Sequence, residues 1–172
     1  MTRELARKRI TVMSGGVPGV DLAAHLAAVE VPGGATFAVL ANPVDMGFGG
    51  HEWHNNLIER QILKRGGFIS EYSTHCAFGM EEFQERLLAR DRLISGLSDL
   101  FIAFECNVDS ATTDTARRAL VQGKKVVCID TAKRTPRRGI AKMENDFNLL
   151  VLRENEMSDV QIVAKILELS AF

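Results

Sequence analysis

A glycine-rich loop, set between a short apolar segment and an alanine-rich helical pattern, constrains the fold of this chain more than any other feature. The loop reads S-G-G-V-P-G-V-D at positions 14–21, after Ile10–Met13 and before Leu22–Val29. A strand that ends in glycines and turns directly into a helix leaves backbone N–H groups unpaired at the positive end of the helix dipole, and such groups bind anions. The pattern therefore predicts either a phosphate-binding loop or a strand–helix turn that binds nothing.

Three glycines of this loop have a direct role in the phosphate interpretation. A Cβ atom at Gly15, Gly16 or Gly19 would obstruct the sharp turn or the close approach of a phosphate, so their small size favours an anion site. The spacing G-G-x-x-G differs from the dinucleotide fingerprint G-x-G-x-x-G, and no G-K-S/T sequence follows, as a nucleoside triphosphatase requires. The loop therefore matches neither of these two kinds of phosphate site.

Composition favours one globular domain and limits how it can bind nucleic acid. The chain has 172 residues, of which 46% are hydrophobic and 25% charged, so it can bury a full core. Its net charge of -1 excludes a uniformly basic nucleic-acid binder, and such a function would depend on local patches. Cys76, Cys106 and Cys128 have no C-x-x-C spacing, which favours reduced thiols. The N-terminus matches neither a signal peptide nor a membrane span, and we expect a cytoplasmic location.

Short apolar runs alternate with amphipathic segments along the chain, which predicts a βαβ succession. Nearly continuous apolar runs are typical of strands in a sheet that is covered on both faces. The predicted strands are Ile10–Met13, Thr36–Leu40, Phe68–Tyr72, Leu100–Phe104, Lys125–Ile129 and Leu149–Leu152. Helical patterns fall at about 21–30, 52–64, 80–95, 113–122 and 158–170. We therefore expect an α/β fold with a doubly wound, mostly parallel open sheet and helices on both faces.

Loops at the carboxyl ends of parallel strands bind ligands in sheets of this kind. The long glycine-rich loop at 41–50 is expected to act as a lid or a binding loop. After the fourth strand, Ser110, Thr112 and Thr113 put hydroxyls and backbone donors at the start of a helix. Such a start is typical of a second anion site and equally of simple helix capping, so both alternatives remain open.

Three arginines of the predicted helix at 80–95 offer further phosphate contacts. Arg86 and Arg90 are four residues apart and therefore share a helix face, with Arg92 close by in sequence. They either bind phosphates through their guanidinium groups or belong to a solvated face that nearby carboxylates neutralise.

A basic segment, Lys133–Lys142, is expected to form an exposed and mobile loop. Its cationic side chains are those of Lys133, Arg134, Arg137, Arg138 and Lys142. These five charges leave a net charge of about -6 on the rest of the chain, from -1 minus +5. The segment either attracts a long negatively charged strand or serves only as a solubilising loop.

Several motifs in a fixed order resemble those of the DNA-processing protein A (DprA/Smf) family, in its Rossmann-like domain. They are S-G-G-x-x-G-x-D-x-x-A-H at Ser14–His25, G-G-x-x-x-S-E-Y with one residue fewer at Gly66–Tyr72, R-x-R-x-I-S/A-G-L-S at Arg90–Ser98, and E-x-x-x-x-S-x-S/T-x-x-T-A-R-x-A-L-x-x-G at Glu105–Gly123. The resemblance covers roughly residues 4–130. It implies binding and protection of single-stranded DNA, loading of a RecA-type recombinase during transformation or repair, a homodimer, and no catalysis or cofactor.

The resemblance also implies, position by position, which residues contact DNA. They are Ser14, Gly15, Gly16, Gly19 and Asp21 in a first phosphate loop, Arg90 and Arg92 in a charged wall, and Ser110 and Thr112 in a second loop. Backbone, hydroxyl and guanidinium groups contact phosphates without distinguishing bases. Binding is therefore expected to be non-specific and sensitive to salt.

The chain departs from the family pattern at several points. The family's usual first strand and its extra terminal domains are missing from the sequence, so we expect one domain over 1–172. We also expect a sheet edge that is covered by a second copy or by Leu149–Leu152. Near the expected DNA groove, Asp91 stands where the family has asparagine, and Leu87-Leu88 replaces F-P. These changes bear on DNA affinity more than on the fold.

A sensor that binds a nucleotide-derived ligand is the alternative function. Related phosphoribohydrolases carry P-G-G-x-G-T-x-x-E, whereas the corresponding turn here is D-S-A-T-T-D-T without the glutamate, which argues against that activity. No catalytic or metal role is predicted for the histidines. His51 and His54 lack a clear third ligand, and His25 is expected to orient the start of its helix through a hydrogen bond. The Trp53 ring is expected to pack against other protein side chains and not to stack on bases.

Overall fold

The computed structural model describes the chain in five stretches. They are residues 1–48, 56–74, 78–104, 106–131 and 138–170. The chain divides into two compact units, which we call the N-terminal unit, Thr2–Ile94, and the C-terminal unit, Ser95–Phe172 together with Met1. Each unit contains one three-stranded sheet in which every pair of neighbouring strands is parallel.

In the N-terminal unit, helices connect parallel strands that are consecutive in sequence. The elements are α1 Thr2–Arg7, β1 Val12–Ser14, α2 Val20–Val29, β2 Thr36–Val39, a 3-10 turn at Val44–Met46, α3 Asn56–Arg65, β3 Gly66–Ile69 and α4 Met80–Leu97. The sheet has the order β1-β2-β3, with Val12 opposite Thr36 and Thr36 opposite Gly66. Parallel neighbours need a crossover connection, and α2 and α3 supply it. The carboxyl ends of β1 and β2 thus lie at one edge of the sheet.

The core of the N-terminal unit lies between the sheet and the helices α2 and α3. Its buried residues are Val29, Ala38, Leu40, Phe48 and Ile62. The Phe48 ring also contacts the ring of Phe68, with 5.5 Å between centroids. Phe48 therefore belongs to the core, although it lies in the glycine-rich loop that was expected to act as a lid or a binding loop.

The C-terminal unit repeats the same construction. Its further elements are β4 Leu100–Phe104, α5 Ala111–Val121, β5 Lys125–Asp130, α6 Arg138–Phe147, β6 Leu150–Arg153 and α7 Asp159–Ser170. The sheet has the order β4-β5-β6. Its core contains small residues from α5 and two buried thiols, Cys106 and Cys128, with Ile140 and Met143 from α6 packed against them.

Parallel sheets flanked by helices confirm the predicted α/β fold. The six strands lie where the apolar runs placed them, within about two residues at most ends, but they form two sheets of three. The strand predicted at Leu149–Leu152 is β6, which pairs with β5 in the sheet of the C-terminal unit. Among the described helices, none is long and apolar enough to cross a membrane.

One expectation about an irregular segment is wrong, and one helix, α1 at residues 2–7, was given no boundaries from the sequence. The basic segment was expected to be a mobile, exposed loop, yet residues 138–142 are the first half of α6, and Ile140 is 3% exposed. Ile140 and Met143 are three residues apart and face the core together, which is the reason this stretch is helical.

Candidate functional site

The glycine loop lies where the sequence predicted it, between the end of β1 and the start of α2. Gly19 is the N-cap of α2, with φ of 113°, and no side chain caps the helix at this position. Within the loop, Leu22 N donates to Val17 O at 3.3 Å and Ala23 N donates to Gly19 O at 3.0 Å. The exposed end of the loop, residues 17–20, therefore presents the positive end of a ten-residue helix to its surroundings.

The carboxylate of Asp21 binds the loop from its own helix. Its Oδ2 atom accepts hydrogen bonds from Gly15 N at 3.2 Å and from Val17 N at 3.3 Å. The expectation that these backbone donors are free for a phosphate is therefore wrong for Gly15 and Val17. A bound phosphate would have to use other amides or displace a carboxylate of the same sign.

Arg90, which was assigned to a charged wall, is buried in the N-terminal unit. It is 4% exposed, and its Nη1 donates to Gly15 O at 2.9 Å and to Val39 O at 2.5 Å. Its Nε donates to Asp91 Oδ1 at 3.0 Å. The alternative of a solvated face is wrong for Arg90 and also for Arg86, which is 7% exposed.

The space that the loop glycines leave is filled by protein at two of three positions. A Cβ at Gly15 would lie 2.6 Å from Arg90 Cζ, and a Cβ at Gly16, where φ is +79°, would lie 2.6 Å from Phe48 Cδ1. Only Gly19 has open space, with no atom within 4 Å of its Cβ position. Of the three, only Gly19 therefore leaves space beside the loop, and its contact with a phosphate stays a prediction.

A small cleft lies between the glycine loop and α4. Its volume is about 110 Å³. It is lined by Gly15, Gly16, Val17, Pro18, Leu40, Ala41, Asn42, Phe48, Phe83, Leu87 and Arg90. Asn42 is held in place, because its Nδ2 donates to Gly47 O at 2.9 Å and to Pro43 O at 3.2 Å. The walls are mostly apolar, so this cleft by itself does not resemble a phosphate site.

The other two arginines of α4 have different surroundings from Arg90. Arg92 is exposed and forms an ion pair with Glu71, so it does not join Arg90 in one wall. Arg86 lies with its Cζ 4.0 Å from the centroid of the Tyr72 ring and 4.5 Å from that of Phe78, and it pairs with Glu82 at 2.6 Å. The sequence does not indicate this aromatic arrangement, because Tyr72 and Phe78 precede Arg86 at no regular spacing and form no motif with it.

His25 is fully buried and connects α2 to β2. Its Nδ1 lies 2.7 Å from Thr36 Oγ1, and the Thr36 hydroxyl donates to Val12 O at 3.0 Å. Because the hydroxyl proton is used there, Nδ1 is the donor to Thr36. Burial lowers the pKa of His25 to about 4, against smaller opposing effects of Asp21 and the Ser14 backbone. This hydrogen bond differs from the expected one, because it fixes α2 against β2 and not at the start of α2.

In the C-terminal unit, Ser110 is the N-cap of α5. Its Oγ accepts from Thr113 N at 3.4 Å, and the Thr113 hydroxyl donates to Asn107 O at 3.1 Å. Thr112 lies in the first turn of the same helix. Capping is therefore present, and a phosphate role for Ser110 and Thr112 stays a prediction. The start of α6 reaches the same loop, since Gly139 N donates to Cys106 O at 3.1 Å.

Of the other basic side chains, two on α5 form ion pairs and several lie outside the described residues. Arg117 and Arg118 both bind Asp114, at 2.8 and 2.6 Å, and these hydrogen bonds lower the pKa of Asp114. Arg138 is the first residue of α6. Residues outside the description include Lys133, Arg134, Arg137, His51, Trp53 and His54. Within the described ranges, no three His, Cys, Asp or Glu residues are grouped so as to hold a metal ion.

Curated proteins with similar sequences carry DNA-processing names. Protein Smf of Escherichia coli strain K12 is 32% identical over 126 residues, which are 73% of this chain and 32% of that protein. DNA processing protein DprA of Streptococcus pneumoniae is 30% identical over 120 residues, which are 70% of this chain and 40% of that protein. The chain therefore spans about a third of the length of these curated relatives.

Solved structures with the same fold come from the same group of proteins. DNA processing protein A of Helicobacter pylori, which binds single-stranded DNA, superposes with a TM-score of 0.74 over 99% of this chain and 72% of that chain, at 22% identity. DprA of Streptococcus pneumoniae gives 0.68 over 88% and 50%, at 23% identity. The model of the family described as DNA recombination-mediator protein A matches residues 1–159, which confirms the resemblance stated above. This chain belongs to the DNA recombination-mediator protein A family.

Proposed function

We propose that this chain binds single-stranded DNA through its phosphates, without sequence preference, and serves in DNA uptake or recombination. The observation that carries the proposal is the family match over residues 1–159. It is supported by the fold shared with the Helicobacter pylori protein, whose single-stranded DNA binding mode is known. The comparisons favour this function over that of a sensor that binds a nucleotide-derived ligand.

The exposed end of the glycine loop is the part of the N-terminal unit best suited to a DNA phosphate. Gly19 combines a positive φ with open space, and the helix that starts at Val20 has no side-chain cap. A phosphate at this point meets backbone donors and the positive end of the helix dipole. The amides of Gly15 and Val17 are not needed, because Asp21 already binds them.

The start of α5 is the second proposed contact. Ser110 and Thr112 belong to the first turn of an eleven-residue helix, and Ser110 fixes that turn through its N-cap hydrogen bond. Basic residues from Lys133 to Arg138 follow β5 in the same unit and add positive charge to a chain of net charge -1. Such a local concentration of charge is what a nucleic-acid binder without an overall basic surface requires.

A comparison of ligands at one salt concentration tests the proposal directly. Labelled single-stranded DNA, duplex DNA of the same length, and a panel of mononucleotides are titrated with the purified chain. We expect single-stranded DNA to bind more tightly than any mononucleotide, with affinities that are the same for different base sequences and fall as salt rises. Tight binding of one nucleotide, with none of DNA, would replace this function by that of a nucleotide sensor.

A RecA-type recombinase and a second copy of the chain are the proposed protein partners, and no catalytic step is proposed. The copy would cover an open sheet edge, which proteins seldom leave exposed. Light scattering should give twice the chain mass of 19.0 kDa, about 38 kDa. With DNA present, adding the chain should accelerate recombinase assembly on strands coated with single-strand-binding protein. A monomer, or unchanged assembly, would remove the corresponding partner from the proposal.

A further inference from the structure

The glycine loop is held at its inner side by a buried guanidinium. Arg90 is 4% exposed and bridges two backbone carbonyls, Gly15 O at 2.9 Å and Val39 O at 2.5 Å. One carbonyl belongs to the loop and the other to the end of β2. Arg90 thus joins the loop, which lies 75 residues away from it in sequence, to the neighbouring strand.

Two further contacts hold the same loop. The Asp21 carboxylate accepts from Gly15 N and Val17 N, so Gly15 is bonded through both its amide and its carbonyl. The Phe48 ring fills the space beside Gly16. Since residues 15–17 are fixed in this way, the loop has little freedom to adapt when a ligand arrives.

We propose that Arg90 is a positioning residue, which fixes the glycine loop in its binding conformation and does not itself contact DNA. The inference rests on the proposed function of the loop. A guanidinium suits this role because its donors form a rigid planar fork and because it stays charged when buried, bonded here to carbonyls and to Asp91. An ammonium group on a flexible stem does not reproduce this geometry.

The salt dependence of DNA binding separates positioning from phosphate contact. Each lost contact with a single strand lowers the slope of log K against log salt by about 0.7. We expect Arg90→Ala to weaken single-stranded DNA binding by about tenfold or more with an unchanged slope, and Arg90→Lys to restore little of the affinity. Arg3→Ala, which removes an exposed, ion-paired arginine of the same unit, is the matched control and should leave affinity and slope unchanged. A slope reduced by about 0.7 in Arg90→Ala, with recovery in Arg90→Lys, would overturn the proposal.

A second variant tests the same contact while keeping the arginine. Gly15→Ala places a Cβ 2.6 Å from Arg90 Cζ and so displaces the guanidinium. We expect Gly15→Ala to weaken DNA binding in the wild-type chain and to cause little further loss in Arg90→Ala or Arg90→Lys, since the contact is already gone there. Independent, fully additive losses would contradict a shared role. Gly15→Ala also keeps the test valid where Arg90→Ala fails to fold.

Amide hydrogen exchange gives a measurement that needs no DNA. Loss of the Arg90 contacts should raise exchange rates at the amides of residues 15–17 and 19, and Arg92→Ala should leave them unchanged. If the wild-type chain does not bind DNA, the proposed function fails, and exchange still decides whether Arg90 holds the loop. Unchanged exchange in a folded Arg90→Lys chain would show that it does not.

Discussion

At the scale of single residues, the site depends on groups whose role is to fix the backbone. Arg90 and Asp21 bind the glycine loop through opposite charges, and neither is placed as the sequence suggested. The burial of Arg90 was not predictable, because its carbonyl partners are 75 and 51 residues away and a charged residue on a helix is usually exposed. What the sequence did predict is the loop itself, since a strand, three glycines and a helix follow each other locally.

The contact between Gly16 and Phe48 leads to a prediction about stability. We expect Gly16→Ala to cost about 2 to 4 kcal/mol, because its Cβ would overlap the Phe48 ring at a residue with φ of +79°. In a Phe48→Leu background only the backbone strain remains, and the cost should fall to about 1 to 2 kcal/mol. Urea unfolding of the four chains measures this coupling. Gly19→Ala is the control and should show no coupling to Phe48; equal costs for Gly16→Ala in both backgrounds would contradict the overlap.

Burial of neutral His25 predicts how stability depends on pH. Its pKa is about 4 in the folded chain and 6.5 in the unfolded one, so between these values the unfolded chain binds more protons. The free energy of unfolding should therefore rise as the pH is raised from 4 to 6.5. His25 contributes about 2 to 3 kcal/mol of this free energy, and the contribution is lost when the pH falls through the same range. Urea midpoints at pH 7, 5.5 and 4.5 in wild type and His25→Gln isolate the effect. The same pH slope in both chains would disprove it.

At the scale of elements, the same construction occurs in each unit: a parallel strand ends, a short loop follows, and a helix begins. In the N-terminal unit the loop has glycines and the helix start has no side-chain cap. In the C-terminal unit Ser110 caps α5. The two helix starts therefore differ in what they leave for an anion, because a capped amide is already bonded.

Substitutions at Ser110 separate capping from phosphate binding. Ser110→Ala should lower the free energy of unfolding by about 1 kcal/mol through loss of the cap. Ser110→Asp keeps a capping side chain and suits the helix dipole, so it should retain stability. Its added charge should nevertheless weaken single-stranded DNA binding if a phosphate lies there. Equal DNA affinity of Ser110→Asp and wild type would leave Ser110 with a capping role alone.

The regular elements were more predictable from sequence than the basic segment. Leu100–Phe104 and the stretch 126–129 are continuous apolar runs, and such runs become buried strands almost wherever helices flank a parallel sheet. Helix α6 was missed because K-R-T-P-R-R-G has the chemistry of a loop. The spacing of Ile140, Met143 and Phe147 does follow a helical period, and this pattern indicates the helix despite the charges.

At the scale of the whole molecule, charge limits how DNA can be bound. The chain has 21 basic and 22 acidic side chains, and many of the described arginines pair with carboxylates. A polymer with one charge per nucleotide must therefore be attracted by a local excess of positive charge. The basic residues before and at the start of α6 are the largest such excess in the sequence.

Removing that excess should affect a polymer far more than a small ligand. In the variant, Lys133, Arg134, Arg137 and Arg138 are changed to serine. We expect single-stranded DNA binding at low salt to weaken by about tenfold or more, with a smaller salt slope, while mononucleotide binding changes little. A control chain loses the same charge from exposed ion-paired positions, with Arg3, Arg7, Arg117 and Lys165 changed to serine. Equal effects of the two variants would mean that only net charge matters.

The two buried thiols of the C-terminal unit also determine how this unit can be observed in solution. Cys128 is fully buried and Cys106 is 2% exposed, and burial raises the pKa of the Cys128 thiol to about 12. At pH 8, only about one in ten thousand such thiols is the reactive thiolate, so alkylation must await opening of the core. The labelling rate at these two cysteines, followed by peptide mass spectrometry, therefore reports the opening equilibrium of the C-terminal unit. The change in this labelling rate when DNA is added measures how much DNA binding at the loops stabilises that core against opening.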